Sequence, residues 1–222
     1  MTRVTLVGAG GLGGPIAFAL GGAGLELSIV DPDVVELSNL HRQIQFTAAN
    51  IGHAKAPLLA AAVCARGGRA RGYQLAWSAE DADELAGDLI VDATDSPTTK
   101  FSVADWAVAA GQPYVIAAAL RYGGNAFVGA PGSACYRCLF EAPSIAETCD
   151  GAGVLGPVVG AIGGVAAALA LGLSYGEHGH AGSIFTFDDL RTSTEPRIVK
   201  LAPRAGCVAC ARAPRRVEAA HA

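Results

Sequence analysis

The chain has 222 residues, 51% of them hydrophobic, and a formal net charge of −4. That length and composition suit a single domain with a sizeable core and exclude a disordered chain. The weak negative charge gives no electrostatic basis for nucleic acid as a partner.

The first apolar run, "RVTLVG" from Arg3 to Gly8, reads as a buried strand, and "LGGPIAFALGGAG" as a helix closed by glycines. "LELSIVD" is a second strand ending at Asp31. A long polar loop follows, then a helix from about Ala54 to Arg66. "RARGYQLAW" is expected as a third strand, "DLIVDATD" as a fourth with acids at its carboxyl end, "SVADWAVAAG" as a helix and "PYVIAAA" as a further strand. This alternation predicts an α/β, Rossmann-like fold: a mostly parallel sheet, helices on both faces, and ligands beyond the carboxyl ends of the strands.

After residue 120 the pattern loosens, with strands near Gly124–Val128, Ser183–Phe187 and Arg197–Leu201, expected to be antiparallel. Residues 1–212 form one domain on this reading, and "RAPRRVEAAHA" supplies a frayed basic tail over 213–222. The charge-free stretch from Val154 to Tyr175 is long enough for a membrane span. Its glycines and alanines suit close packing in protein, so it is read as a core or subunit-interface helix, with no membrane role. The N-terminus lacks the second basic residue and cleavage site of an export signal, which favours a cytoplasmic protein.

"GAGGLG" places Gly8, Gly10 and Gly13 in G-x-G-x-x-G register between a strand and a helix, and Asp31 closes the next strand. Backbone N–H groups and a helix N-terminus then face phosphate, and the acid takes ribose hydroxyls. Arg42, Lys55 and Asp95 exceed what a dinucleotide needs. ATP attacked at its α-phosphorus does need them: arginine pairs with phosphate oxygens, lysine acts as a point charge, and aspartate holds Mg²⁺. Taken singly, Lys55 reads as a solvated helix residue and Arg42 as half of a loop salt bridge. An NAD-dependent oxidoreductase would explain the glycines and Asp31 but would leave Arg42, Lys55 and Asp95 without a task.

"CYRC" (Cys135, Cys138) and "CVAC" (Cys207, Cys210) are paired C-x-x-C knuckles, the donor set of a closed, structural, tetrahedral zinc site. Disulfides or a redox motif are the bland alternatives. Cys64 reads as a small core residue. Cys149 sits in a polar loop and could act as a nucleophile, although Glu147 and Asp150 disfavour its thiolate.

Together, "GAGGLGGP", "DPDVVELSNLHRQ", "IGHAKA", "DATDS", "CYRC", "TCDGAGVLGPVVGAIGG" and "GCVAC" resemble the ubiquitin-activating-like adenylyltransferases of the ThiF/MoeB/HesA group, in order and at compatible spacing. The resemblance implies adenylation, by Mg·ATP, of the C-terminal Gly-Gly carboxylate of a ubiquitin-fold sulfur carrier in thiamine or molybdopterin biosynthesis. The implied nucleotide set is Gly8, Gly10, Gly11, Gly13, Asp31, Asp33, Ser38, Asn39, Arg42, Lys55, Asp95 and Ser96. Arg42 and Lys55 would stabilise the transferring phosphate, Asp95 would hold Mg²⁺, and Cys149 matches a loop cysteine that can join the carrier through sulfur.

A homodimer is implied too. The chain begins at the first strand, without the N-terminal arginine-bearing segment of many members, and shows no rhodanese-like domain. A separate cysteine desulfurase or rhodanese is therefore expected as sulfur donor. Adenylation of another peptide C-terminus, and a catalytically weak partner subunit, are the competing expectations.

Overall fold

The computed structural model describes residues 2–85, 87–143 and 153–211, so Cys149 and the basic tail lie outside the described residues. In chain order the elements are β1 (Arg3–Val7), α1 (Gly13–Gly22), β2 (Glu26–Val30), α2 (Lys55–Cys64), β3 (Arg69–Tyr73), α3 (Ala79–Leu85), β4 (Leu89–Asp92) and α4 (Pro97–Ala110). They continue with β5 (Tyr114–Leu120), β6 (Gly123–Gly129), α5 (Tyr136–Leu139), α6 (Gly156–Ser174), β7 (Ser183–Phe187) and β8 (Arg197–Lys200).

The strands form one sheet in the order β3-β2-β1-β4-β5-β6-β7-β8. Pairing is parallel from β3 through β5 and antiparallel from β5 through β8, as the sequence predicts. Chain order reverses direction between β1 and β4, and in such sheets ligands bind beyond the carboxyl ends at that switch point.

The two faces of the sheet carry separate cores. Val4, Leu6, Leu27, Ile29, Val91 and Val115 point to the side covered by α1, α2 and α6. Val7, Ile90, Tyr114, Ile116 and Phe127 point to the other side, against Phe101, Val103, Ala104 and Ala107 of α4 and Tyr136 of α5. Coverage on both faces explains why β4 is a continuous apolar run rather than an alternating one. β8 is one of the two edge strands, exposed throughout and bounded by Arg197 and Lys200, charges that discourage further pairing.

The apolar α6 packs on the sheet through Val158, Val159, Ile162, Ala166, Ala167, Ala170 and Leu173. It is the one helix among the described residues long and apolar enough to cross a membrane, but half of its circumference is core.

Four local expectations are corrected. The third strand stops at Tyr73 instead of running to Trp77, and α3 occupies a stretch for which no helix was expected. α4 starts at Pro97, five residues before "SVADWAVAAG", because Ser96 caps it: its Oγ accepts from the Thr99 N–H at 3.2 Å, and Pro97 needs no donor there. Cys64 is exposed rather than core; it falls one position past Val63, the last buried residue of α2.

A buried ion pair joins β4 to α4 and β5. Asp92 is 0% exposed and Lys100 is 5% exposed. The Lys100 ammonium donates to Asp92 Oδ1 at 2.7 Å and to the carbonyls of Thr94 and Ala117, each at 2.6 Å. All three of its hydrogens are thus used. Burial pushes the Asp92 carboxyl upward, opposed by the Lys100 charge and by donors from Thr94. Removing one member of such a pair strands the other charge, so Lys100→Met is expected to lower the unfolding free energy by about 3–5 kcal/mol in urea titrations. A second substitution, Asp92→Asn, should restore part of that loss.

Candidate functional site

The loop leaving β1 is built on contacts that tolerate no side chain. Gly8 has φ +102°, and its N–H donates to Val30 O at 2.8 Å. A Cβ on Gly8 would lie 2.9 Å from the Ala93 carbonyl carbon, and one on Gly13 would lie 2.1 Å from Gly8 O. Gly10 differs: only Gln43 Nε2, at 3.6 Å, would be near its Cβ, so the space beside the loop is open there. These are the turn and the close approach that a phosphate-binding glycine motif requires.

Asp31, 6% exposed, ties this loop to the one after β2. Its Oδ2 accepts from the Ala9 N–H at 2.7 Å and its Oδ1 from the Asp33 N–H at 2.8 Å. Burial raises its pKa, against the lowering effect of those two N–H donors and of Lys55. Each carboxylate oxygen keeps a further lone pair, so ribose hydroxyls can still be accepted. The sequence reading assigned Asp31 to the ribose alone; the structure adds this bracing role.

The polar loop between β2 and α2 folds back onto the glycine loop. Leu37–Asn39 form a 3₁₀ turn, with Asn39 buried and Ser38 Oγ donating to Glu36 Oε2 at 3.3 Å. The Arg42 carbonyl reaches the glycine loop, lying 3.2 Å from where a Gly11 Cβ would be. Val35 and Gly52 pair through N–H and carbonyl at 2.9 Å, which returns the chain to the start of α2.

There Lys55 Nζ meets Asp33 Oδ2 at 2.8 Å, with the lysine side chain 7% exposed and the aspartate 63% exposed. Sequence spacing left those two residues far apart; the loop joins them. From the neighbouring strand, Asp95 stands exposed just beyond β4. Ser96, expected among the nucleotide contacts, caps α4 through its Oγ.

The residues that sequence reasoning missed here are Lys100 and Gln45. Lys100 sits among polar residues in "SPTTKFS", and only its placement one turn inside a helix beside a buried acid shows its role. Gln45 Nε2 donates to the carbonyls of Ala9 and Gly10, both at 2.9 Å.

At the far end of the sheet the two cysteine knuckles meet. Sγ separations are 3.8 Å for Cys135–Cys138, 3.6 Å for Cys135–Cys207 and 3.5 Å for Cys138–Cys210, and all four sulfurs lie within 4.8 Å of one another. Four thiolates at tetrahedral Zn–S distances would be about 3.8 Å apart, so the donor set fits a metal ion. The Arg204 N–H donates to Cys138 Sγ at 3.3 Å, the outer-shell contact expected of a thiolate ligand. Burial pushes the Cys135 thiol up to about 11. At Cys207, burial is outweighed by N–H donors from Ala209 and Cys210, and the thiol falls to about 6. The four sulfurs would all ionise together only around a cation.

Comparison with known proteins matches residues 1–209 to the ThiF family model. Among curated relatives, the Arabidopsis thaliana adenylyltransferase and sulfurtransferase MOCS3 is 40% identical over 221 residues, covering 94% of this chain and 47% of that protein. The Aspergillus niger adenylyltransferase and sulfurtransferase uba4 is 39% identical over 178 residues, covering 72% of this chain and 37% of that protein. The chain therefore spans about half the length, or less, of these relatives. Among solved structures, E. coli MccB with AMPCPP and MccA superposes with a TM-score of 0.79 at 20% identity, over 94% of this chain and 66% of MccB. That likeness shows the fold.

The glycine loop makes a sharp test of the packing. Gly13→Ala forces a methyl group into backbone and is expected to cost about 3 kcal/mol in urea titrations, as overpacking does. Gly160→Ala in α6, where nothing lies within 4 Å of the new Cβ, should be neutral or should stabilise by up to about 1 kcal/mol.

Proposed function

The chain belongs to the ThiF family, and on that premise we propose that it adenylates the C-terminal Gly-Gly carboxylate of a ubiquitin-fold sulfur carrier at the expense of Mg·ATP. The observation that carries the reading is the convergence, at the switch point, of a bare glycine loop with the Arg42 segment, the Asp33–Lys55 pair and an exposed Asp95. A nicotinamide dinucleotide would leave these charges without a use.

The carrier carboxylate is ionised at neutral pH, so its oxygen attacks the α-phosphorus without a general base. The bond to the bridging oxygen breaks and pyrophosphate departs with its electron pair. The chain's part is positioning and charge neutralisation. Loop N–H groups take phosphate oxygens, and Arg42 pairs with the phosphate that carries the developing charge. Asp33 holds one hydrogen of the Lys55 ammonium and leaves two for phosphate. Asp31 accepts from the ribose, and Ser38 and Asn39 border the triphosphate. Asp95 would hold Mg²⁺, which supplies further charge neutralisation.

Zinc is the metal we assign to Cys135, Cys138, Cys207 and Cys210, in a structural role. A separate sulfur donor, a cysteine desulfurase or a rhodanese, would then attack the acyl adenylate. Cys149 is proposed as a residue able to join the carrier through sulfur. The exposed small residues of α6, Pro157, Ala161, Gly164 and Ala168, suit a homodimer interface.

The test is ATP–pyrophosphate exchange with purified ubiquitin-fold proteins ending in Gly-Gly. Exchange should require the intact tail, and Arg42→Ala should lower it by about 10²–10³. Exchange with an unrelated peptide C-terminus, and none with the carriers, would move the substrate to peptides; binding of NAD in place of ATP would sink the adenylation reading.

For zinc, mass spectrometry of the native protein should find one ion per chain. Cys207→Ser should release it and lower Tm by on the order of 10 °C.

A further inference from the structure

We infer that Gln45 is a positioning residue of the phosphate site, holding two peptide planes of the glycine loop so that their N–H groups turn toward the nucleotide; this rests on the ATP reading above. Gln45 Nε2 lies 2.9 Å from the Ala9 carbonyl oxygen and 2.9 Å from that of Gly10. Only an amide nitrogen, with two hydrogens, can sit between two acceptors. An Oε1 there would oppose both sets of lone pairs, so the contacts themselves fix which way the amide faces.

A trans peptide unit is planar, with its N–H opposed to its C=O. Holding the Ala9 carbonyl therefore aims the Gly10 N–H the other way, and holding the Gly10 carbonyl, which also accepts from the Gly14 N–H at 3.1 Å, does the same for the Gly11 N–H. Among the described residues, neither the Gly10 nor the Gly11 N–H enters a backbone hydrogen bond outside a helix or strand. Asp31 takes the N–H of Ala9. Consecutive planes of the loop are thus oriented from two sides, by one carboxylate and one amide. Preorganised donors of this kind do not have to reorient when phosphate arrives.

The chain also makes room for this amide. A Cβ on Gly14 would lie 2.4 Å from Gln45 Oε1, so the glycine in the first turn of α1 serves Gln45 rather than phosphate. Among the described residues, Gln45 Oε1 itself is buried without a hydrogen-bond partner. The amide is anchored to the loop through its two donors.

Two substitutions separate hydrogen bonding from packing. Gln45→Met keeps length and removes both donors. Gln45→Glu keeps shape and puts acceptors against the two carbonyls. Affinities for Mg·ATP and for adenosine are to be measured by displacement of a fluorescent ATP analogue from the full chain, with Tm recorded for each variant. Gln45→Met should weaken Mg·ATP about tenfold, the loss expected from two neutral hydrogen bonds, and Gln45→Glu should weaken it further.

Adenosine, which has no phosphate, should bind each variant as it binds the parent. Gly14→Ala displaces the same amide from the helix side, while helix propensity favours the alanine. It should give the same phosphate-specific loss without a fall in Tm, and its combination with Gln45→Met should be less than additive. Wild-type affinity for Mg·ATP in both Gln45→Met and Gly14→Ala, or equal losses for ATP and adenosine, overturns the assignment. If the unsubstituted protein binds no Mg·ATP, the nucleotide reading fails first and this inference with it, an outcome visible before any variant is made.

Discussion

The chain leaving β1 passes so close to the chain leaving β4 that a methyl group on Gly8 would lie 2.9 Å from the Ala93 backbone. Bare backbone at Gly8 is the condition for the rest of the site. It lets the glycine loop turn at once into α1, which starts at Gly13 against Gly8 O. It also sets the loop after β2 beside the loop after β4, so that Asp31, Asp33 and Asp95 share one rim. A protein interior is close-packed and does not stretch to admit a side chain at such a point. The site is therefore defined first by missing atoms, and only then by charged ones.

The charges divide into two kinds according to burial. Asp92 and Lys100 neutralise each other inside the sheet and use all the lysine's hydrogens on protein acceptors. Asp31 is nearly as buried, but among the described residues no ammonium contacts it; peptide N–H groups hold both its oxygens. Charges that face solvent at the rim include Asp33, with Lys55 beneath it, and Asp95. Buried ionic groups fix where the strand ends lie, and exposed ones remain available to a ligand. The same rim holds both kinds because the polar carboxyl ends of a doubly covered sheet are where charge can be placed without entering either core.

Much of this was legible in the sequence for reasons of periodicity and spacing. Short apolar runs separated by helical stretches marked the parallel strands, the glycine register marked the phosphate loop, and the repeated C-x-x-C marked the sulfur cluster. What stayed hidden depends on tertiary pairing. Nothing near Lys55 in the chain points to Asp33, because the connection runs through a folded-back loop. Lys100 and Gln45 looked like ordinary polar residues; one is recognised by the acid it meets inside the sheet, the other by two carbonyls on a distant loop. α3 was passed over because its sequence, "AEDADEL", is acidic and carries little apolar period. Cys64 was misplaced by one helical position, which rotates a side chain by about 100° and out of the core.

The sulfur cluster has a consequence for the order in which the chain assembles. Cys135 and Cys207 stand 72 residues apart in sequence, and the segment between them contains α6, β7 and β8. An ion that clasps both ends closes a long loop, and closing one of that length removes about 4 kcal/mol worth of freedom from the unfolded chain. The clasp cannot form until Cys210 has been synthesised, well after the strands of the parallel half. The parallel half of the sheet, with its glycine loop, thus has all its residues in hand well before the antiparallel half can be secured. During synthesis, the supply of any ion bound there would act on the later half alone.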